Sequence, residues 1–167
     1  KRIRRGAIIR LQKDDKGNWQ ISQLPEVESA FVAVDPKDGA IRALVGGFDF
    51  NRNKFNHVTQ AWRQPGSSFK PFIYSAALEK GFHPGTVIQD EPIVISASQT
   101  GAQAWEPHNY DGKYEGPMKM RRALAKSKNM VSIRILQSIG ARYAQDFATR
   151  FGFDAAKHPP YLTMALG

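Results

Sequence analysis

The stretch RQPGSSFKPFIYSAALEKG, residues 63–81, is where the interpretation of this chain begins. Pro65-Gly66 halts the preceding segment, apolar side chains then follow at helical spacing, and Gly81 suits the position just after a helix. We predict a helix from about Ser67 to Lys80, with a tight or 3₁₀-like first turn because Pro71 disfavours regular helix there. The stretch leaves open whether Ser67 caps this helix or is a nucleophile with Lys70 as its base.

The spacing of Ser67 and Lys70 suits catalysis, because positions three apart share one face of a helix. A serine hydroxyl needs a nearby base, and lysine can serve only if its pKa falls well below about 10.4. Burial and the positive end of the helix dipole both lower that pKa. Free N–H groups at the helix start can bind an oxyanion, and Gly66 leaves room for a substrate carbonyl. Against this, serine is a favoured cap, and a chain of this length contains about one S-x-x-K by chance.

A second polar group, Ser127-Lys128-Asn129, lies between a helix predicted from Pro117 to near Lys126 and another predicted over 129–139. Ser127 can relay a proton between Lys70 and a leaving group. Asn129 can accept a hydrogen bond from the lysine and donate one to a substrate carbonyl. Plain capping by Ser127 is the alternative. S-x-x-K followed by S-x-N is a stronger signal than either motif alone, because the two belong to one motif set of β-lactamases and penicillin-binding proteins.

The rest of the chain, with two hairpins before a run of helices, predicts an α+β or three-layer mixed fold. The first hairpin turns at 14–17 and lies within residues 1–24, which we predict to be a separate β segment. The second pairs 30–34 with 40–45, and a further helix spans 141–151. Asp90-Glu91 is expected to be a solvated loop.

Composition excludes several classes of function. The 167 residues include 24 Lys and Arg against 15 Asp and Glu, a net charge of +9, which we interpret as solvated surface and not as a nucleic-acid site. The chain has no cysteine, so it has no disulfide framework and no thiolate nucleophile. Its four histidines lack metal-ligand spacing, and we expect no metal and no cofactor. No apolar run approaches the ~20 residues of a membrane helix.

Longer strings resemble class A penicillin-binding proteins, and most closely their 1A type. The resemblance covers about residues 25–167. It is carried by four strings: VDPKDGAI (34–41), RQPGSSFKPF (63–72), WEPHNYDGKYEGP (105–117) and RALAKSKN (122–129).

The resemblance implies the transpeptidase fold shared with serine β-lactamases, in which helices pack on an antiparallel sheet. It implies a peptidoglycan DD-transpeptidase that works through a serine acyl-enzyme and is acylated by β-lactam antibiotics. The partners would be stem peptides and their lipid-linked precursor, on the periplasmic side of the inner membrane in the bacterial cell envelope. A membrane anchor and a glycosyltransferase domain would lie upstream, and residues 1–24 would belong to an oligonucleotide-fold-like insertion or a linker.

The residue roles follow from the same resemblance. Ser67 would be the nucleophile, Lys70 its base, Ser127 the proton shuttle, and Asn129 the group that holds Lys70 and the substrate amide. Apart from the resemblance, Gly66, Trp105 and Tyr110 are candidates for binding substrate, and simple packing of their loop is the alternative for Trp105 and Tyr110.

One departure matters: the 167 residues contain no Lys-Ser-Gly or Lys-Thr-Gly, the third motif of the family. We therefore expect residues 25–167 to be the N-terminal part of the transpeptidase domain, with the remaining strands and last helix in a longer protein. The intact protein would be an enzyme, and this chain alone inactive. The alternatives are a serine β-lactamase and a non-catalytic penicillin-sensing or scaffold domain.

Overall fold

The structure, a computed structural model, describes residues 3–100 and 103–167. It divides into two compact units, one ending at Arg63 and one running from Gln64 to Gly167. The predicted boundary after residue 24 lies inside the first unit and stays a prediction. Both units contain antiparallel strand pairs and the second adds helices, so the α+β class is confirmed.

The first unit contains the two predicted hairpins. Strands β1 (Arg10–Lys13) and β2 (Trp19–Ser22) pair antiparallel, as do β3 (Phe31–Val34) and β4 (Ile41–Val45). Aspartate side chains close both turns by accepting hydrogen bonds from backbone N–H groups two residues later: Asp14 from Lys16 and Asp35 from Lys37. Turn chemistry of this kind is local, which explains why the sequence predicted both hairpins.

In its described residues, 64–100 and 103–167, the second unit contains five helices, one further strand pair and four 3₁₀ turns. The α-helices are α1 (Lys70–Glu79), α2 (Ala97–Thr100), α3 (Met120–Ala125), α4 (Asn129–Ile139) and α5 (Ala141–Ala148). The antiparallel strands are β5 (Val87–Asp90) and β6 (Gly116–Lys119). The 3₁₀ turns span Gly66–Phe69, Thr149–Phe151, Ala155–Lys157 and Leu162–Leu166.

Helix α4 is the centre of the hydrophobic core. Its buried side chains contact α1, α5 and β5, and burying each Ile, Leu or Met contributes about 1.5–3 kcal/mol. The fully buried apolar residues of α4 are Met130, Val131, Ile133, Ile135 and Leu136. Because α4 is fixed along most of its length, its first residue, Asn129, has a defined position next to α1.

The predicted helix starting at Pro117 is wrong in its first turn. Residues 116–119 form β6, with Pro117 opposite Gln89 of β5, and the helix begins only at Met120. Proline at the start of a helix and proline in a short strand look alike in sequence, and pairing with β5 decides between them. The predictions of a 3₁₀-like start at Ser67, of Gly81 after α1, and of the helices over 129–139 and 141–151 are confirmed.

Across the described ranges, none of the helices has the length and apolar character needed to cross a membrane.

Candidate active site

Ser67 lies in the 3₁₀ turn that leads into α1, and its side chain is exposed. It is not a helix cap. The cap positions are Pro65 for the 3₁₀ turn and Phe69 for α1, and neither cap makes a side-chain hydrogen bond. The neighbouring Ser68 hydroxyl instead donates to the Pro65 carbonyl at 2.7 Å. The Ser67 hydroxyl is therefore available for chemistry, as the nucleophile hypothesis requires.

Lys70 begins α1 and is only 1% exposed. Its Nζ donates to Ser127 O at 2.7 Å, to Ser127 Oγ at 3.0 Å and to Asn129 Oδ1 at 2.7 Å. All three acceptors are neutral. Burial lowers the pKa of Lys70 to about 8, so roughly a tenth of the amines are uncharged at pH 7.

The three acceptors around Lys70 suit an amine that changes charge. Ser127 O and Asn129 Oδ1 can only accept, and they occupy two N–H bonds in either protonation state. Ser127 Oγ can accept from the ammonium or donate to the lone pair of the neutral amine. Lys70 can therefore lose its proton without leaving a buried donor or acceptor unpaired. Within the described residues no hydrogen bond joins Ser67 Oγ to Lys70 Nζ, and catalytic hydrogen bonds often tighten only when substrate binds.

Ser127 has an unusual backbone, with φ +53°. It follows α3 in a Schellman motif, in which Ser127 N–H donates to Leu124 O at 2.9 Å and Lys128 N–H to Ala123 O at 3.0 Å. Helix α1 ends in the same motif, with Gly81 at φ +91° in the equivalent place. Glycine is favoured there because a side chain in left-handed conformation costs about 1–2 kcal/mol. Because serine costs stability at this position, its presence favours a functional role for the hydroxyl.

Most of the predicted site residues line one cleft of about 530 Å³. Gly66 and Tyr110 line it together with Ser67, Ser127 and Asn129. Trp105 instead lines a second cavity of about 370 Å³, with Ile95 and Tyr161 among its neighbours. The substrate-binding roles of Gly66, Trp105 and Tyr110 stay predictions, and only for Trp105 does the structure separate the residue from the other candidates.

Sequence reasoning missed Asn109, which supplies the cap that α4 lacks locally. The α4 cap residue, Lys128, makes no side-chain cap hydrogen bond. Asn109 Oδ1 accepts from the backbone N–H of Asn129 at 2.8 Å and of Met130 at 3.3 Å. Its Nδ2 donates to Asp90 Oδ1 at 2.7 Å and to the Lys113 carbonyl at 2.8 Å. A cap from 20 residues upstream has no local sequence pattern. The available signal was that Asn109 lies in the string WEPHNYDGKYEGP, which gave no reason to single it out.

The expectation of a solvated Asp90 is wrong. Asp90 ends β5 and is fully buried, whereas Glu91 is exposed. Asp90 Oδ2 accepts from the Glu115 backbone N–H at 3.0 Å and lies 3.3 Å from Lys128 Nζ. A buried carboxylate needs such partners, and they come from three separate segments. The sequence shows that Asp90 carries a charge but not which residues surround it in the fold.

Lys128 is buried like Lys70, at 2% exposure, but faces carboxylates instead of neutral acceptors. Its Nζ lies 3.3 Å from Asp90, 3.2 Å from Asp111 and 3.3 Å from Glu115. Burial alone would lower the pKa of Lys128, but the hydrogen bonds and ion pairs with these carboxylates outweigh it and raise the pKa. Of the two buried lysines, only Lys70 is suited to lose a proton near neutral pH.

Comparison with known proteins connects this geometry to a family. The model of the penicillin-binding protein transpeptidase domain matches residues 29–160. The chain belongs to this transpeptidase family. Penicillin-binding protein 1A of Neisseria meningitidis serogroup A is 53% identical over 166 residues, which are 99% of this chain and 21% of that protein. The predicted resemblance to the 1A type is thereby confirmed.

Solved structures agree on the transpeptidase fold. Penicillin-binding protein 1A from Haemophilus influenzae matches 94% of this chain and 23% of its own, with 43% identity and a TM-score of 0.86. PonA1 from Mycobacterium tuberculosis in complex with penicillin V matches 86% of this chain and 40% of its own, with 28% identity and a TM-score of 0.70. The predicted fold is confirmed. This chain spans about a fifth of the length of the curated relatives it matches.

Proposed function

We propose that the protein containing this chain is a peptidoglycan DD-transpeptidase that works through an acyl-enzyme on Ser67. One observation carries the proposal: a buried lysine of lowered pKa, Lys70, donates to Ser127 and Asn129 in the wall of the cleft that exposes Ser67. Membership of the transpeptidase family supports the same reaction.

In the acylation step, Ser67 Oγ attacks the carbonyl carbon of the penultimate D-alanine of a stem peptide. Neutral Lys70 takes the hydroxyl proton as the C–O bond forms, and the backbone N–H of Ser67 donates to the oxyanion. The C–N bond to the terminal D-alanine then breaks. The proton passes from Lys70 through Ser127 Oγ to the leaving amine, which departs as free D-alanine.

In the second step, an amine of a neighbouring stem peptide attacks the ester carbonyl. Its proton returns through Ser127 and Lys70 to Ser67 Oγ, the ester C–O bond breaks, and an amide cross-link remains. Asn129 Nδ2 has two hydrogens and gives one to the His108 carbonyl at 2.8 Å, which leaves the other for a substrate carbonyl. A β-lactam, which presents a strained amide, would acylate Ser67 by the first step.

A serine β-lactamase also needs a base that activates water for deacylation, and two of the acids between the two motifs, Glu115 and Asp111, suit this poorly. Glu115 accepts from Lys126 at 2.8 Å and from Arg122 at 3.1 Å, and these bonds together with Lys128 lower its pKa to about 2. A carboxyl of such low pKa is a weak base. Asp111 in the cleft is likewise held by the Lys113 backbone N–H and by Lys128, which lower its pKa.

The location, upstream domains and partner that we propose for the whole protein follow from its resemblance to the 1A type. They are a cell-envelope location on the periplasmic side of the inner membrane, an upstream anchor, a glycosyltransferase domain and a lipid-linked precursor as partner. Lys-Ser-Gly and Lys-Thr-Gly, one of which would supply a second wall of the cleft, do not occur in these 167 residues. We therefore expect no transpeptidation by this chain alone.

A labelled penicillin tests the proposal in the full-length protein that contains this chain. We expect one covalent label per molecule, on the peptide that carries Ser67, and loss of the label in Ser67→Ala. Ser68→Ala is the matched control and should keep the label, because that hydroxyl bonds to the Pro65 carbonyl. Label that survives in Ser67→Ala, or no label in the native protein, would reject the acyl-enzyme. Rapid turnover of the penicillin would favour the β-lactamase.

A further inference from the structure

Among the described residues, the turn Ser127-Lys128-Asn129 supplies every acceptor that Lys70 Nζ contacts, so its position sets the charge and reach of that amine. The turn is not self-sufficient. Ser127 holds a left-handed backbone that a non-glycine residue adopts at a cost, and such strain persists only where surrounding contacts impose it. The question is which contacts hold the turn in place.

Lys128, the middle residue of the turn, is one anchor. Its ammonium is hydrogen-bonded to Asp111 at 3.2 Å and to the Lys113 carbonyl at 3.0 Å, and it is ion-paired with Asp90 at 3.3 Å and Glu115 at 3.3 Å. With its donors occupied and its side chain 2% exposed, it is placed to hold the turn and not to contact substrate.

Asn109 is the other anchor. Its side chain is 4% exposed, and its four hydrogen bonds use both ends of the amide. One end fixes the N-terminus of α4, from which Asn129 reaches Lys70. The other end is fixed by Asp90, the carboxylate that also pairs with Lys128. Both anchors therefore converge on one buried acid.

We propose that Lys128 and Asn109 are positioning residues, which hold the Ser127–Asn129 turn against Lys70 through the buried carboxylate of Asp90. The inference rests on the function proposed above. It predicts that loosening the anchor admits water to Lys70, so that the amine holds its proton to higher pH and acylation slows at neutral pH.

Ionisable groups from several elements face Lys128. Asp90, Asp111 and Glu115 face Lys128, and Glu115 is also paired with Lys126 and Arg122 from α3. From α1, Tyr74 faces the cluster, and burial raises its pKa to about 12, so it stays neutral between pH 6 and 9.5. Lys70, whose pKa burial lowers to about 8, titrates within that range.

The test measures the acylation rate of the full-length protein by labelled penicillin from pH 6 to 9.5. Lys128→Met should slow acylation at least tenfold at pH 7 and move the midpoint of the pH profile up by more than half a unit. Lys128→Arg, which keeps the cation, should recover most of the rate and the native midpoint. A merely structural role would reduce the labelled fraction and leave the midpoint of the molecules that react unchanged.

The control and a second variant cover the remaining outcomes. Arg122→Met removes a cation from the same acid cluster, but one that is 60% exposed, and should stay within about twofold of the native rate. If Lys128→Met fails to fold, Asp90→Asn combined with Lys128→Met removes both buried charges, and its midpoint should still be displaced. A native midpoint and rate in either folded variant overturns the proposal. Absence of label in the native protein would instead reject the transpeptidase itself.

Discussion

Lys70 Nζ donates a 2.7 Å hydrogen bond to Asn129 Oδ1, although 59 positions separate the two residues along the chain. The start of α1 holds the lysine and the start of α4 holds the asparagine, so packing of the two helices sets the environment of the amine. That environment is buried, and in the part of the chain that the structure describes the partners of Nζ are neutral. The pH dependence of the proposed reaction follows from it.

Acylation of the full-length protein by a labelled penicillin should rise with pH and level off above about 8. Only uncharged Lys70 can take the proton of Ser67, and burial lowers the pKa of Lys70 to about 8. The rate should increase about tenfold per pH unit below the midpoint. The measurement is the rate of labelling between pH 6 and 9.5, corrected for spontaneous hydrolysis of the penicillin. A flat profile over this range would contradict the assignment of Lys70 as the base.

Lys70→Arg should lose acylation by about 10²-fold or more at pH 7, because a guanidinium keeps its proton and cannot act as a base. The positive charge and much of the hydrogen bonding with the turn are retained, so the loss reports on proton transfer. Circular dichroism checks that the variant is folded. A folded Lys70→Arg variant with a rate within tenfold of the native one would mean that another group deprotonates Ser67.

Ser127→Gly should be more stable than Ser127→Ala by about 1 kcal/mol, because only glycine adopts a left-handed backbone without steric cost. Both changes remove the hydroxyl, so the difference isolates the backbone at φ +53°. Thermal unfolding of the two variants of this chain is the measurement. The matched pair at Ser138, an exposed position in the last turn of α4, should show the opposite sign, since glycine is a weaker helix former than alanine. Equal stabilities at position 127 would count against strain there.

The free energy of unfolding should reveal the lowered pKa of Lys70 directly. Between pH 8 and 10.5 the unfolded chain binds a proton at Lys70 that the folded chain has released, so stability rises with pH across this window. The native chain should gain up to about 3 kcal/mol relative to Lys70→Met between these limits, and nothing further below pH 8. Urea unfolding of both chains at several pH values measures the difference. Parallel curves for the two chains would show that the pKa of Lys70 is not lowered.

Local sequence patterns accounted for much of the fold. Turn aspartates at 14 and 35 marked both hairpins, apolar spacing marked α1, α4 and α5, and Pro71 marked the 3₁₀ start. These features depend on neighbours a few residues apart. The start of α3 was misjudged because strand pairing of Pro117 with Gln89 depends on a segment nearly 30 residues away. Burial of Asp90 was missed for the same reason.

The sequence by itself determined which residue types can do the chemistry and, through the two motifs and the longer strings, the family to which the chain belongs. It also determined that Ser67 and Lys70 lie three residues apart where a 3₁₀ turn leads into a helix, since that depends on local spacing. Only the tertiary structure decided that Lys70 and Lys128, both buried, have opposite pKa shifts, because the sign depends on the charges brought around each ammonium. Lys70 meets neutral oxygens and Lys128 meets three carboxylates, and no pattern along the chain distinguishes the two surroundings.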